Sequence, residues 1–198
     1  MKKIFLLQLF LLISSIAIAQ SEKVTLKGLN KTRLQHTRKG MTILGSWALG
    51  NMLISPIMAG RSTGFDKHFY QMNTYWYIVN LGIAAFGYAN TLKQDVSTLS
   101  LAASITEQQA IEKVLLFNTG LDVAYMLGGF YMIERSRRLG NQSERLNGFG
   151  RSIVLQGGFL FVFDLIFYLK MNQHGSGVMN MLSNVSLTPN SIGVNFVF

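Results

Sequence analysis

Ile153-Val154-Leu155-Gln156-Gly157-Gly158-Phe159-Leu160-Phe161-Val162-Phe163-Asp164-Leu165-Ile166-Phe167-Tyr168 is the stretch that decides the fold. Its apolar residues run on without the alternation that a half-buried strand needs. The strands of an outer-membrane barrel are about 10 residues long and alternate throughout. This run therefore reads as a helix, and its length and apolarity suit a bilayer span. Three more such runs precede it, at about 41–58, 69–92 and 114–133, with this one bounded at about 152–169. The expected fold is all-α, a four-helix transmembrane bundle over 41–170.

A shorter apolar run comes first. Lys2 and Lys3 precede Ile4 to Ile16, and Ala17-Ile18-Ala19 leads into Gln20. A basic start, a brief apolar middle and small residues before the junction are the marks of a secretory signal peptide, here 1–19. A basic polar segment, 20–40, follows, and its Leu26, Leu29 and Leu34 have roughly helical spacing. It reads as a solvated helical extension of the first span, in preference to an amphipathic helix lying on the membrane surface. Residues 171–198 form a tail without formal charge, and the alternation of Ile192, Val194, Phe196 and Phe198 predicts a short strand.

Composition agrees with a membrane protein. Of 198 residues 49% are hydrophobic and 14% charged, against about 25% charged in soluble domains. The formal charge of +9 sits in short segments beside the apolar runs, where Lys and Arg set topology and meet lipid headgroups. No nucleic-acid-binding motif accompanies it. The chain has no Cys, which excludes disulfides, thiolate metal sites and cysteine nucleophiles. With the signal removed, the segment after Gln20 starts outside. Arg61–Lys67 and the Arg-rich 135–151 connection then lie in the cytoplasm, as the positive-inside tendency asks, and the tail lies outside. The expected location is a bacterial inner membrane, multi-pass.

Small pairs four apart, Ser46 with Gly50 and Ala85 with Ala89, point to close helix packing. Thr106 followed by Gln109 resembles a capping box and predicts a helix start there.

Two acids lie inside apolar runs, Asp122 and Asp164. A carboxylate at mid-bilayer costs roughly 2.5–3.5 kcal/mol on insertion scales, so each needs a partner or a proton. Both lie a few residues outside the midpoints of consecutive antiparallel spans, so they can face each other. Asn51 and Asn80 fall at similar depth, and the four form a candidate polar layer or ion site. Asn118, Asp122 and Tyr125 share one helical face. Trp47 with Asn51, and Asn73, Trp76, Tyr77 and Asn80, make a candidate face for a flat ligand such as a quinone. The bland alternative is interhelical glue, each contact contributing about 0.6 kcal/mol. His36, His68 and His174 are far apart in sequence, which argues against a metal cluster or paired haem ligands. No catalytic, phosphate-loop or zinc motif is present, so neither enzyme activity nor a cofactor is expected. The functional expectation is a structural or accessory membrane protein. Its expected partners are the lipid bilayer and a membrane or periplasmic protein docked on the tail. The alternative is a small proton- or cation-linked transporter using the two aspartates.

Gly45-Ser46-Trp47-Ala48-Leu49-Gly50-Asn51 and Phe69-Tyr70-Gln71-Met72-Asn73-Thr74-Tyr75-Trp76-Tyr77-Ile78-Val79-Asn80 resemble segments of an uncharacterised family of small bacterial four-helix membrane proteins. That resemblance implies the helical fold and a bacterial source, and no activity.

Overall fold

The computed structural model describes residues 25–138, 143–183, 185–188 and 191–194. The segment expected to be a signal peptide lies outside them. Four helices follow in order: α1 (Leu26–Arg61), α2 (Gly64–Lys93), α3 (Leu101–Ser136) and α4 (Ser143–Ser183). A hairpin of β1 (Val185–Thr188) and β2 (Ser191–Val194) ends the described chain, antiparallel with Val185 opposite Val194. The expected tail strand starts at Ser191, and residues 195–198 lie outside the description.

Helix boundaries follow local chemistry more than apolar content. The Thr25 hydroxyl accepts from Gly28 N and starts α1 upstream of the apolar run. Ser100 does the same for α3 through Ala103 N at 3.2 Å. The predicted start at Thr106 is therefore wrong by several residues, and the Thr106 hydroxyl bonds back to Ala102 O inside the helix. Pro56 neither stops α1 nor breaks it: the helix continues to Arg61. The turn into α2 uses Gly64 at φ 59°, a left-handed conformation that glycine adopts without cost. α4 runs on past Met171 to Ser183, so the first part of the expected tail is helical. Met171 and Val178 are buried there.

The basic segment before the first span is not merely a solvated extension. Arg33 is buried within it, and its guanidinium reaches Glu107 Oε2 at 3.1 Å and Gln94 Oε1 at 3.2 Å. Asn30 donates to Ser104 Oγ at 2.7 Å. These bonds tie the start of α1 to α3 and to the connection before it. A buried guanidinium without such partners would be strongly destabilising.

Four helices are present, but they do not form an evenly closed bundle. α1 packs on α2, and α3 packs on α4. The two hairpins meet mainly through α2 against α4. Among the described residues, α2 and α3 have no Cα atoms within 8 Å of each other. A cleft runs between them.

Close packing uses different glycines from those expected. A Cβ added at Gly50 would meet nothing, and Ser46, Ala85 and Ala89 are exposed. The tight crossing is α3 against α4. A Cβ at Gly129 would come 2.7 Å from Gly150 O, and one at Gly150 would come 2.6 Å from Gly129 O. The two backbones touch through these reciprocal glycines.

The outer surface is apolar and the interior is largely polar. Leu53, Phe86, Phe117 and Leu127 are each more than 60% exposed. Asn73, Asn80, Asp122, Ser152, Gln156 and Asp164 are buried. Two helices, Leu26–Arg61 and the Ser143–Asn180 portion of α4, are long and apolar enough to cross a membrane.

Replacing Gly150 by Ala should lower the unfolding midpoint in detergent, at a cost of about 1–3 kcal/mol, because the new methyl meets backbone rather than a movable side chain. Gly128→Ala, inside α3 where a Cβ meets nothing, is the matched control and should not lower the midpoint, and should raise it slightly, because Ala costs less backbone entropy than Gly in a helix. Thermal unfolding followed by circular dichroism separates the two.

Candidate functional site

The buried polar residues fall into two groups with different character. The first is a closed network at the junction of α1, α2 and α4. Gln156 is its hub. Its Oε1 accepts from Trp47 Nε1 at 2.8 Å, and its Nε2 donates to Asn51 Oδ1 at 3.1 Å and to Asn73 Oδ1 at 2.9 Å. Ser152 Oγ donates to the same Asn73 oxygen at 2.7 Å. Asn51 Nδ2 returns to Trp47 O at 2.9 Å. The Trp47 ring stacks on Phe159 with centroids 4.0 Å apart. A connected network of this kind fixes which helix faces meet.

The second group lies along the cleft between α2 and α3. A cavity of about 410 Å³ opens there. α2 supplies Trp76, Val79, Asn80 and Ile83, and α3 supplies Asn118, Asp122 and Tyr125. α4 closes the floor with Leu160, Phe163, Asp164 and Phe167. Most of the lining is aliphatic or aromatic, with its polar groups few and convergent. That is the usual make-up of a small-molecule site, and the volume lies in the usual range of about 300–1,000 Å³.

The two carboxyls meet at the floor of this cleft: Asp122 on α3 and Asp164 on α4 are hydrogen-bonded to each other. Such a bond needs a proton on one of the two groups, because two carboxylates are both acceptors. Gly157 makes the approach tight, since a Cβ there would sit 3.2 Å from Asp122 O. On the α2 wall of the same cavity Trp76 Nε1 and Asn80 Nδ2 are buried without an acceptor among the described residues, and Asp122 Oδ2 is likewise buried without a partner. Trp76 and Asn80 are four residues apart on α2 and share one face. The Trp76 ring meets Tyr125 edge-on, centroids 5.3 Å apart.

The expected single layer of Asp122, Asp164, Asn51 and Asn80 is thus divided. Asn51 belongs to the Gln156 network, while the other three line the cavity. The expected ligand face divides likewise. Trp47 and Asn73 are held in the network and Trp76 in the cleft. Tyr77 is half-buried and is not among the cavity's lining residues. Asn118 and Tyr125 join Asp122 in the lining.

Gln156 was missed. It stands in the apolar run 153–168, where an amide amid Ile, Val, Leu and Phe is the signal that marks it. The histidine reading also needs correction. His36 and His174 meet edge-on, with ring centroids 5.8 Å apart, because α1 and the extended α4 run side by side at this end. Among the described residues no three metal-binding side chains come together.

The fold and cleft define a class: an all-α protein of four helices whose apolar exterior surrounds a polar interior. The chain belongs to DUF6992, a family of unknown function whose model matches residues 43–165. The match spans both stretches on which the resemblance rested. No curated protein and no solved structure matches the chain.

Both histidines at the end of the bundle are held below their ordinary value of 6.5, first by burial. Lys170, the partner imidazole and Lys39 add to the effect at His36. At His174, Arg33 adds to it, while Leu29 O and Glu112 oppose it. The folded state therefore resists protonation more than the unfolded chain does. Stability contributed by the neutral pair is present above about pH 6.5 and is lost as pH falls below it. The unfolding midpoint should fall between about pH 7 and pH 5. The His36→Gln, His174→Gln double variant should show a flatter dependence in the same titration.

Proposed function

We propose that this chain is an integral membrane protein crossing the bilayer four times, and that its α2–α3 cleft binds a small molecule from the lipid phase. The observation that carries this reading is the cleft itself, with an apolar mouth above a polar floor. Val79, Ile83 and Val114 at its edges are each more than half exposed. In water that edge would be an apolar patch of the kind that marks a binding surface. In a bilayer it faces acyl chains, and the cleft is a side opening to them.

The inverted distribution of polarity supports the reading of four spans. Lipid cannot satisfy polar side chains, so they turn inward and the apolar ones turn out. The polar residues that interrupt the apolar runs of α2 and α3 include Asn73, Asn80, Asn118 and Asp122, of which Asn73, Asn80 and Asp122 are buried. Their outward residues include Ile78, Phe86, Leu116 and Phe117, all strongly exposed. α2, with 30 residues, is about 45 Å long at 1.5 Å per residue, longer than the hydrocarbon core of about 30 Å. The Lys2-Lys3 start and the Ala17-Ile18-Ala19 junction support export through a signal peptide. The Arg-rich connection between α3 and α4 supports a cytoplasmic position for it.

The absence of Cys from the chain makes single-cysteine labelling clean. In intact cells a membrane-impermeant maleimide should label Ser97→Cys, between α2 and α3. It should label Thr63→Cys, between α1 and α2, only after permeabilisation. Equal labelling of both in intact cells would refute the four-span topology.

The cleft is tested with its own reporter. Trp47 and Trp76 are the two tryptophans, and Trp47→Phe leaves Trp76 alone at the cavity. In vesicles of lipid brominated along the acyl chain, Trp76 fluorescence should be quenched well below its level in unbrominated lipid. Full fluorescence would mean that the cleft is closed to the lipid phase.

A further inference from the structure

We propose that the α2–α3 cleft and the polar pocket at its end form one elongated site for a phospholipid with an anionic head. This rests on the lipid-phase binding read above and names the ligand class. A second cavity, of about 460 Å³, opens at the end of the bundle where α1 begins and α2 stops. Thr37, Glu107 and Ile111 line both it and the cleft, so the two spaces adjoin. On α2 the combined lining runs from Trp76 to Gln94. At 1.5 Å per residue that is about 27 Å of helix. One leaflet with its headgroups is about 20–22 Å deep, half of a bilayer of about 40–45 Å. The groove is therefore long enough to take one lipid chain and its head along the membrane normal.

Polarity changes along the groove as it does along a lipid. The cleft is walled by Leu44, Val79, Ile83, Val114 and Phe163, with the Asp122–Asp164 pair toward its inner end. The end pocket is lined instead by Arg33, Thr37, Asn90, Thr91, Lys93 and Gln94, together with Glu107. Its charge is positive. Glu107 is held by Arg33 at 3.1 Å, and the two charges offset each other. Arg38 donates to Thr91 Oγ1 and to Thr91 O, both at 2.9 Å, and has no carboxylate partner among the described residues. Lys93 is exposed in the pocket lining and also makes no ion pair there. These two cations complement a phosphodiester, the anion that lipid heads carry at the membrane surface. Topology works against cations at this end. In the four-span reading it lies outside the cytoplasm, where Lys and Arg are disfavoured. Yet Lys27, Lys31, Arg33, Arg38 and Lys39 all stand in the first part of α1. A lipid phosphate gives them a counter-charge.

The experiment uses the full chain with Trp47→Phe in vesicles of equal parts dioleoyl phosphatidylglycerol and dioleoyl phosphatidylcholine. In each sample only one of the two lipids is brominated along its chains. Trp76 lines the cleft and reports which lipid fills it. Quenching should show phosphatidylglycerol preferred over phosphatidylcholine by about fivefold, the effect of one Lys or Arg near a lipid head. Lys93→Gln should remove most of that preference. Lys113→Gln should keep it, because Lys113 is exposed in the same half of α3 as Glu107 but lines neither cavity. The unaltered chain gives an independent reading: native mass spectrometry should find phosphatidylglycerol retained in preference to phosphatidylcholine. Equal quenching by the two lipids overturns the proposal and leaves the open cleft standing. Equal loss of preference in the Lys93 and Lys113 variants overturns it too, since that means attraction to the whole basic surface. Loss of the preference in inorganic phosphate, but not in chloride of the same ionic strength, assigns the pocket to a free anion and overturns the lipid. Quenching by neither lipid removes the cleft reading itself.

Discussion

Gln156 holds the molecule's two hairpins together. One amide on α4 bonds to Trp47 and Asn51 of α1 and to Asn73 of α2. An amide has one acceptor oxygen and two donor hydrogens, and these bonds engage both ends of it. The rotational setting of α4 against the first hairpin is therefore fixed at one depth. Ser152, one turn earlier, repeats the bond to Asn73 and fixes the tilt as well. On the opposite side of α4, glycines let α3 come to backbone contact. α4 is thus fully engaged on two sides, and α3 is carried by α4 while its backbone stands away from that of α2.

The cleft is a consequence of that arrangement. α3 is drawn toward α4 by Gly129, Gly150 and Gly157, while α2 is drawn toward α1 and the Gln156 hub. The space between is spanned near one end, where Arg33 on α1 bonds to Glu107 on α3 and to Gln94 before it, and by the edge-on contact of Trp76 with Tyr125. Along the rest, the side chains of α2 and α3 line a cavity instead of interdigitating. The two kinds of buried polarity have different consequences. The Gln156 network bonds its members to one another across three helices and acts as a specific fastener. The residues of the cleft pair incompletely: Trp76 Nε1, Asn80 Nδ2 and Asp122 Oδ2 are buried without a partner among the described residues. Structural and functional readings of the intramembrane polar residues are therefore not rivals over one layer; they apply to different residues.

Particular residues show how far sequence reasoning reached. Asp122 and Asp164 stood out because an acid in an apolar run is costly wherever the helix packs. Their closeness followed from equal depth on consecutive antiparallel helices. Asn51 and Asn80 were equally visible, yet depth alone could not assign them to different neighbours, since that depends on the rotation of each helix about its axis. Ser46, Gly50, Ala85 and Ala89 were misread for the same reason: a small-residue pair marks a face that permits close approach, and whether another helix comes there is decided elsewhere. His36 and His174 are 138 positions apart and meet only because α4 continues beyond its apolar part.

By itself the sequence determined that the chain makes helices, where their apolar middles lie, and that its acids need partners. Those properties follow from apolar periodicity and the cost of burying charge, both of which act locally or at a fixed depth. The tertiary structure alone decided which glycines bring backbones together, which amides close a network, and that α2 and α3 stand apart around a cavity. Each of these depends on helix rotation and neighbour choice, which are set jointly by contacts distant in sequence.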